Sequence, residues 1–312
     1  GLYEGAMGHQ SVREYVESSD CLILLGALMT DIDFGISPTP IEQSKSIYVT
    51  TEKLSIKHQN FENVLLRDFL TSLIEAPLVR KNVVIVAKQD QGINRIRRNY
   101  DYESSYYTNS NSMMHFAAIK NQKITVKRLF ERLNLSIADN VIVIADVGDS
   151  LFGALNLTIH GQTEFLSPAY YCSMGFAVPA AIGAQLANPR LRPIVIVGDG
   201  AFQMTGMEIS TISRFALNPI IIVLNNNGYG TERPMLDGPF NDVLPWNYHR
   251  IPEVIGHGRG FMIETEEQLE ESLSVAENIY SKELCILDVH LDINDASPAL
   301  QRLTEMLGKK VH

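Results

Sequence analysis

The hydrophobic positions in the first third of the chain form short, nearly continuous apolar runs. The runs at residues 21–28, 47–51 and 83–87 predict strands, and the spacing of apolar residues at 61–74 predicts an amphipathic helix between them. Strands with little polar alternation are typical of a parallel sheet that is covered on both faces. This part of the chain therefore predicts a small α/β unit.

A second series of apolar runs and helical patterns follows. Strands are predicted at residues 141–145, 194–197, 220–225 and 285–289. Helices are predicted at residues 125–133, 176–186, 204–215 and 266–279. Residues 88–123 are rich in Asn, Ser, Tyr and charged residues and show no clear period. We therefore predict an α/β protein with two doubly wound, mainly parallel-sheet domains, residues 1–100 and 123–312, joined by a linker at 101–122.

Composition narrows the class of protein. The chain has 312 residues, 45% of them hydrophobic, and no apolar run approaches the roughly 18 to 20 residues that a membrane helix needs. A net charge of −10 argues against nucleic-acid binding, which depends on clustered Lys and Arg. The three cysteines, Cys21, Cys172 and Cys285, form neither a CxxC pair nor a disulfide framework. We expect a soluble protein of the reducing cytoplasm, with no membrane or nucleic-acid partner.

Three predicted strands of the second unit end in small and polar residues. These strand ends are residues 146–150 (DVGDS), 198–201 (GDGA) and 225–228 (NNNG). In doubly wound sheets, ligands bind outside the carboxyl ends of the strands. If the three strands are neighbours, the three turns meet at one ligand site.

The turn around Asp199 predicts an anion and a cation together. Gly198 and Gly200 allow the backbone to turn sharply and approach a ligand, and the helix that follows would point its first amides at an anion such as phosphate. A carboxylate beside a phosphate requires a bridging divalent cation. Asp199, the Asn226 side chain and the Gly228 carbonyl supply oxygen ligands, a set that fits Mg²⁺.

The order of a GDG turn, a helix, a buried strand and an NN turn resembles the thiamine-diphosphate motif of decarboxylases, transketolases and acetolactate synthases. The sequence contains neither the GxGxxG of a dinucleotide site nor the GK[ST] of a P-loop. The resemblance covers most of the chain and is closest to the 2-oxo acid decarboxylases. Residues 18–27 (SSDCLILLGA) are similar to part of their middle domain, and residues 198–232 to their diphosphate-binding domain.

The resemblance implies roles for the matched residues of the motif. Asp199, Asn226 and the carbonyl of Gly228 would bind Mg²⁺. The turn that contains Gly198 would bring the amides of Gly200 and Ala201 to the diphosphate of the cofactor. Many relatives have Ser where Ala201 stands, so one hydroxyl contact would be absent here.

Two flanking segments resemble further parts of the family's site. Residues 172–176 (CSMGF) match the segment that bends the cofactor into a V, with Met174 as the apolar wedge and the Cys172 carbonyl as the acceptor for the aminopyrimidine amine. Residues 228–232 (GYGTE) resemble the family's GYxxE. The resemblance implies that Tyr229 contacts the cofactor and that Glu232 faces the reacting carbon and handles protons.

The turn formed by Gly148, Asp149 and Ser150 resembles the segment beside the diphosphate and the substrate. Pyruvate decarboxylases tend to have Thr at the position of Asp149, and the acidic residue here is more similar to the phenylpyruvate branch. A carboxylate would not pair with phosphate. We therefore expect Asp149 to face the pyrimidine or the substrate, as a second catalytic residue beside Glu232.

The implied activity is non-oxidative decarboxylation of an aromatic or aliphatic 2-oxo acid, such as indolepyruvate or phenylpyruvate, to an aldehyde and CO₂ with thiamine diphosphate and Mg²⁺. An acetolactate-synthase-like carboligase and a non-catalytic scaffold remain alternatives. The family's pyrimidine-binding domain, with its glutamate and paired histidines, matches no part of this sequence. We expect the chain to be the C-terminal part of a homodimer or tetramer, with that domain supplied by the parent protein or another polypeptide.

Overall fold

A computed structural model describes most of the chain. The described residues are 3, 5–8, 10–27, 41–77, 116–157, 163–278 and 283–311. The chain divides into two compact units, residues 1–114 and 115–312. The strand predicted at 83–87 and most of the predicted linker lie outside the described residues. No helix within the described ranges is long and apolar enough to cross a bilayer.

The described residues of the first unit form a four-stranded sheet and two α-helices. Its elements are α1 (Gln10–Glu17), β1 (Leu22–Leu25), β2 (Ser46–Val49), β3 (Lys53–Ile56), β4 (Gln59–Glu62) and α2 (Leu66–Glu75). The strand order is β1-β2-β3-β4. β1 and β2 are parallel, whereas the other two pairs are antiparallel. Over the described residues this sheet is therefore mixed and not mainly parallel.

The helix predicted at residues 61–74 begins later than expected. Gln59–Glu62 is the second strand of a hairpin, and α2 begins at Leu66. The hairpin pairs Leu54 with Phe61, and its turn contains Lys57 with a positive φ of 54°. Tight hairpin turns are usually recognised by Gly or Asn. Because this turn contains neither residue, the sequence offered no signal that separated β4 from the helix.

The second unit is a six-stranded sheet with helices packed against it. Its strands are β5 (Val141–Ala145), β6 (Glu164–Leu166), β7 (Arg192–Gly198), β8 (Ile220–Asn225), β9 (Arg259–Ile263) and β10 (Cys285–His290). Its helices are α3 (Val126–Leu133), α4 (Asp149–Ala154), α5 (Ala177–Ala187), α6 (Asp199–Thr205), α7 (Ile209–Arg214), α8 (Ile251–Ile255), α9 (Glu266–Ala276) and α10 (Pro298–Val311). Short 3-10 helices of the two units lie at Gly5–Met7, Gln43–Lys45, Asn134–Ser136, Gly206–Glu208, Pro239–Asn241 and Tyr248–Arg250.

The sheet of the second unit is parallel throughout, in the order β6-β5-β7-β8-β10-β9. The prediction of an α/β fold is confirmed. The four predicted strands are its central strands, whereas the sequence pattern missed β6 and β9 at the two edges. Both edge strands are largely exposed, so they lack the continuous apolar run that identified the central ones.

The central strands are apolar on both faces because helices cover both sides of the sheet. Ile194 and Ile196 of β7 pack into one buried cluster with α3 and α9. Val195 and Val197 alternate with them and pack into a second cluster with residues of α5, α6 and α7. Two cores on one sheet explain why hydrophobic residues occupy consecutive positions along these strands.

The helix predicted at residues 204–215 is divided in two. α6 begins at Asp199, directly after β7, and a short 3-10 helix that starts at Gly206 separates it from α7. A side chain at Gly206 would collide with the ring of Phe202, which is fully buried. Close packing of this ring requires a glycine where the helix changes direction.

Two glycines in helices of the second unit should respond oppositely to Ala substitution. A Cβ at Gly153 in α4 would collide with the Phe130 ring, whereas a Cβ at Gly183 in α5 would meet nothing within 4 Å. Gly153→Ala should lower the free energy of unfolding by about 1–3 kcal/mol through overpacking. Gly183→Ala should raise it by about 0.5–1 kcal/mol through helix propensity. Chemical denaturation measures both, and effects of the same sign would contradict the packing described for Phe130.

Candidate cofactor and metal site

The three polar strand ends lie side by side. β5, β7 and β8 are adjacent and parallel, and their register pairs Ala145 with Ile196 and Gly198 with Leu224. The carboxyl ends of these strands therefore reach the same edge of the sheet. The three strands are neighbours, as a common site for the three turns requires.

Asp199 joins two of these turns through its carboxylate. Its Oδ1 accepts a hydrogen bond from the Gly200 amide at 2.7 Å, and its Oδ2 accepts one from the Gly228 amide at 3.0 Å. The side chain is only 1% exposed. Burial raises the pKa of Asp199 to about 6, and the amide hydrogen bonds oppose this rise. Because each carboxylate oxygen has two lone pairs, both oxygens can still bind a cation.

Tight packing sets the positions of Gly200 and Gly228. A side chain at Gly200 would collide with the Tyr229 ring. Gly228 has a φ of +154°, and a side chain there would collide with the Asn241 carbonyl, which accepts the Tyr229 amide at 2.9 Å. Glycine at both positions therefore permits this close packing. The Gly228 carbonyl accepts the Gly230 amide at 3.1 Å and keeps a second lone pair for a cation. The side chain of Asn226 is half-buried and lies against Gly230.

The Met174 segment is attached to the end of β5 by Asp146, a residue of the polar strand end to which the sequence assigned no role. Asp146 is fully buried and accepts the amides of Gly175 at 3.2 Å and Ala177 at 2.9 Å. Burial raises its pKa, which these amides partly offset. Met174 is 41% exposed, and Cys172 has a positive φ of 50°. Asp146 thus positions the segment that contains the predicted wedge.

The turn at Gly148 lies close to the segment that contains Glu232. Gly148 has a φ of +73°, and a Cβ there would lie 3.1 Å from Thr231 Oγ1. The hydroxyl of Ser150 is buried and has no hydrogen-bond partner among the described residues. Three of the matched segments therefore meet around Asp199, and a buried hydroxyl donor lies in one of them.

Asp149 differs from its expected orientation. Both of its carboxylate oxygens accept the amide of Ser297, at 3.1 and 2.9 Å, just before α10. This contact directs the side chain to the start of a helix that the sequence did not predict. Burial, with a smaller contribution from Asp295, raises the pKa of Asp149 to about 6, although the hydrogen bonds from Ser297 oppose this rise. The carboxylate is a structural contact here, and the geometry lends no support to a catalytic role.

Glu232 is exposed and lies in a turn, not at the start of a helix. Its amide donates to the Tyr229 carbonyl at 3.1 Å. The next residue, Arg233, forms ion pairs with Asp237 and Asp242, each at 2.8 Å. These contacts hold the backbone of the turn while the carboxylate of Glu232 remains open to a ligand.

The residues present fit a Mg²⁺ ion bound together with a diphosphate. A carboxylate, a side-chain amide and a turn carbonyl provide hard oxygen ligands at Asp199, Asn226 and Gly228, and Mg²⁺ normally completes its six ligands with phosphate oxygens and water. The described residues contain no group of three or more His, Cys, Asp or Glu that could hold a metal without other ligands. A site with a single carboxylate is therefore suited to a metal that arrives with an anionic cofactor.

The fold and the site have the features of a domain that binds a diphosphate together with a metal ion. Residues 146–289 match the family described as thiamine pyrophosphate enzyme, C-terminal TPP binding domain. Residues 146–289 are therefore similar to the TPP binding domain of this family, and the curated proteins similar to the chain are named as 2-oxo acid decarboxylases. This match confirms the resemblance that the GDG and NN turns indicated.

Several curated proteins are similar to this chain over most of its length. It is 28% identical over 305 residues to pyruvate decarboxylase 2 of Arabidopsis thaliana. This alignment covers 96% of this chain and 47% of that protein. It is 28% identical over 279 residues to indole-3-pyruvate decarboxylase of Azospirillum brasilense, with 88% and 47% covered. An alpha-keto-acid decarboxylase of Mycobacterium tuberculosis is 27% identical over 280 residues, with 88% and 47% covered. The chain thus spans about half the length of these relatives.

Asp149→Asn tests how burial affects this carboxylate. The folded protein binds the Asp149 proton more tightly than the unfolded chain, whose Asp pKa is about 4. Its contribution to stability is therefore present below about pH 4 and is lost as pH rises through about 6. The free energy of unfolding of the variant minus that of the original protein should therefore increase by on the order of 2 kcal/mol between about pH 4 and 7.5. Denaturation at several pH values measures this difference.

Ser150→Ala is the control for this measurement because it changes the same turn without removing a titrating group. Its effect on the free energy of unfolding should be independent of pH. A pH-independent effect of Asp149→Asn would contradict the raised pKa of Asp149.

Proposed function

We propose that this chain is the cofactor-anchoring part of a thiamine-diphosphate- and Mg²⁺-dependent decarboxylase that converts a 2-oxo acid to an aldehyde and CO₂. The observation that carries the proposal is the buried Asp199 carboxylate, which accepts amides from both turns of the motif. The names of the relatives support decarboxylation, since they include enzymes of pyruvate, indole-3-pyruvate and alpha-keto acids.

Charge balance gives the proposal its physical basis. A buried Asp199 carboxylate beside a diphosphate would be strongly repelled, and a divalent cation between them changes that repulsion to attraction. Asp199, Asn226 and the Gly228 carbonyl would hold Mg²⁺. The amide of Ala201, in the first turn of α6, would donate to the diphosphate, because the first amides of a helix have no acceptor in a preceding turn. The amide of Gly200 donates to Asp199 Oδ1 at 2.7 Å and would contact the diphosphate only as a shared donor.

The chemistry that thiamine diphosphate supplies when bound is a nucleophilic carbon and an electron sink for the bond that breaks on loss of CO₂. Met174 is exposed, so it is free to pack beneath the rings of the cofactor. Glu232 lies beyond the metal ligands on the turn held by Arg233. Its role would be to exchange a proton with the reacting centre as the aldehyde forms.

The rest of the site would come from a pyrimidine-binding domain. Because the chain spans about half the length of its relatives, we propose that this domain belongs to the parent protein or to a second polypeptide. A homodimer or tetramer would then place the site where two such parts meet. Water exclusion during loss of CO₂ would depend on that second part.

Asp199→Asn should strongly weaken Mg²⁺-dependent binding of thiamine diphosphate. The substitution removes the charge that attracts the cation while it keeps the side-chain volume. In calorimetric titrations of the intact protein, we expect the dissociation constant to rise by roughly a hundredfold or more, because a charged hydrogen-bonding ligand is lost from a buried site. Burial raises the pKa of Asp199, so its charge does not stabilise the protein without cofactor at neutral pH. Asn keeps only one of the two acceptors, so the free energy of unfolding of the variant is measured in parallel.

Asp295→Asn is a matched control for Asp199→Asn. Asp295 also accepts a backbone amide, that of Val126 at 2.7 Å, but it lies at the beginning of α3 and α10. The cofactor affinity of the Asp295→Asn variant should equal that of the original protein. Binding by the Asp199 variant at the original affinity would contradict the metal site, and absence of binding by the original protein would leave the scaffold hypothesis.

Glu232→Gln should reduce turnover much more than cofactor binding. Loss of a proton-transferring side chain typically lowers the rate by about 10²–10⁴-fold, whereas Glu232 provides no ligand to the metal or the diphosphate. The measurement is aldehyde and CO₂ production by the intact protein from pyruvate, indolepyruvate and phenylpyruvate. Cofactor affinity is measured in parallel by calorimetry.

Glu208→Gln, a change of another exposed carboxylate, should leave turnover and affinity unchanged. Equal turnover by the Glu232 variant and the original protein would remove Glu232 from the mechanism. Acetolactate without free aldehyde from the original protein would identify a carboligase and overturn the decarboxylase proposal.

A further inference from the structure

The buried carboxylate of Asp288 contacts the residues that flank the loop 226–248, which contains Asn226, Gly228 and Glu232. The chain leaves the sheet after Asn225, at the end of β8, and returns at the 3-10 helix Tyr248–Arg250. Asp288 in β10 is 0% exposed. Its Oδ1 accepts the side-chain amide of Asn225 at 2.9 Å, and its Oδ2 lies 2.9 Å from Nδ1 of His249. We call residues 226–248 the site loop.

The strand register explains why Asp288 can reach both residues. β10 is parallel to β8, with His290 opposite Asn225 and Asp288 two residues earlier. The carboxylate therefore lies just inside the end of the sheet. Its other polar neighbours are the His249 amide, at 3.4 Å from Oδ2, and Nε2 of His290, at 3.4 Å from Oδ1. A carboxylate only accepts, so Nδ1 of His249 donates to it.

The returning end of the site loop also contacts the helix that begins with Asp199. Tyr248 is fully buried, and its ring packs edge-on against Phe202 of α6 with 5.2 Å between the ring centroids. Its hydroxyl accepts a hydrogen bond from Gln203 at 2.9 Å. Because Tyr248 precedes His249, the contact with Asp288 and the contacts with α6 act on the same three-residue helix.

Packing alone does not explain an aspartate at this position. Ile286, two residues earlier on the same face of β10, belongs to the apolar core. Burial of a carboxylate costs several kcal/mol before its partners are counted, and an apolar residue of similar volume is often equally or more stable there. A carboxylate with two oxygens can accept from two separate partners at once, which an apolar side chain cannot do.

We propose that Asp288 is a positioning residue that fixes both ends of the site loop and thereby holds Asn226, Gly228 and Glu232 where the cofactor and substrate require them. The link to catalysis rests on the function proposed above, whereas the link to the geometry of the site loop does not. Asp288 touches neither the metal ligands nor the turn of Glu232. It acts through Asn225 at one end and His249 at the other.

Two substitutions separate the hydrogen bonds of Asp288 from its volume. Asp288→Leu introduces an apolar side chain of similar shape and removes both acceptor oxygens. Asp288→Asn can keep both contacts, because Oδ1 of Asn225 has no hydrogen-bond partner in the described part of the chain. Reversal of the Asn225 amide would let this oxygen accept from the new Asn side chain, while the Asn oxygen still accepts from His249.

Hydrogen exchange of the protein without cofactor measures the proposal directly. The reporters are the amides of Gly228, Tyr229 and Val243, which donate to Asp199, Asn241 and Asn227. Asp288→Leu should accelerate the exchange of these three amides by roughly tenfold, which corresponds to the loss of about one hydrogen bond. The exchange of the β5 amides should not change. Asp288→Asn should restore slow exchange to within about threefold.

Glu266→Gln is the matched control, since Glu266 is another buried carboxylate, 1% exposed, that binds Arg128 far from the site loop in sequence. It should not change the three reporters. If Asp288→Leu fails to fold, His249→Ala applies the same test to the returning end, with Asp288 still bound to Asn225. Unchanged reporters in a folded Leu or Ala variant, or uniform acceleration across β5 and the site loop, would overturn the proposal.

Cofactor titration of the intact protein extends the test to function. If the original protein binds thiamine diphosphate with Mg²⁺, Asp288→Leu should weaken that binding by roughly tenfold and Asp288→Asn by much less. Accelerated exchange with unchanged affinity would overturn the link to catalysis. Absence of binding by the original protein would contradict the proposed function, and the exchange result would still decide the role of Asp288 in the loop.

Discussion

The candidate site depends on the buried carboxylate of Asp199. A charge at this depth is costly, and the amides of Gly200 and Gly228 offset part of that cost by donating to its two oxygens. The hydrogen bond from Gly228 joins the end of β7 to the turn after β8, so the carboxylate that would bind the cation also assembles the surrounding backbone. A Mg²⁺ ion with its diphosphate would complete the neutralisation that the protein alone provides only in part.

Three buried aspartates near the carboxyl ends of the central strands perform related tasks. Asp146 follows β5 and accepts amides from the Met174 segment, Asp199 follows β7 and accepts the Gly228 amide, and Asp288 in β10 accepts from Asn225 and His249. Each attaches to the sheet a segment that no strand ladder holds. Because a carboxylate offers two acceptor oxygens, it can satisfy two donors in the irregular backbone where a hydroxyl or an apolar side chain could not.

The proposed division of the active site between two parts agrees with the exposure of its matched residues. Met174 and Glu232 are both open on this chain, whereas Asp199 and Gly228 are buried. Groups that hold the metal and the diphosphate would thus be built entirely within one domain. Groups that face the rings and the reacting carbon would be covered only when the cofactor and a pyrimidine-binding domain are present.

Local pattern was sufficient for the central strands of the second unit and for the glycine-bounded turns after them, because continuous apolar runs and fixed motif spacing are properties of neighbouring residues. It was insufficient for the edge strands and for the hairpin around Lys57, whose residues are exposed or lack turn signals. Tertiary structure alone decided the partner of Asp149, an amide 148 residues away, and the partners of Asp288, up to 63 residues away. The sequence by itself determined which polar turns follow the central strands. Only the packing of distant segments decided which carboxylates remain open to a ligand and which are occupied by the protein's own amides.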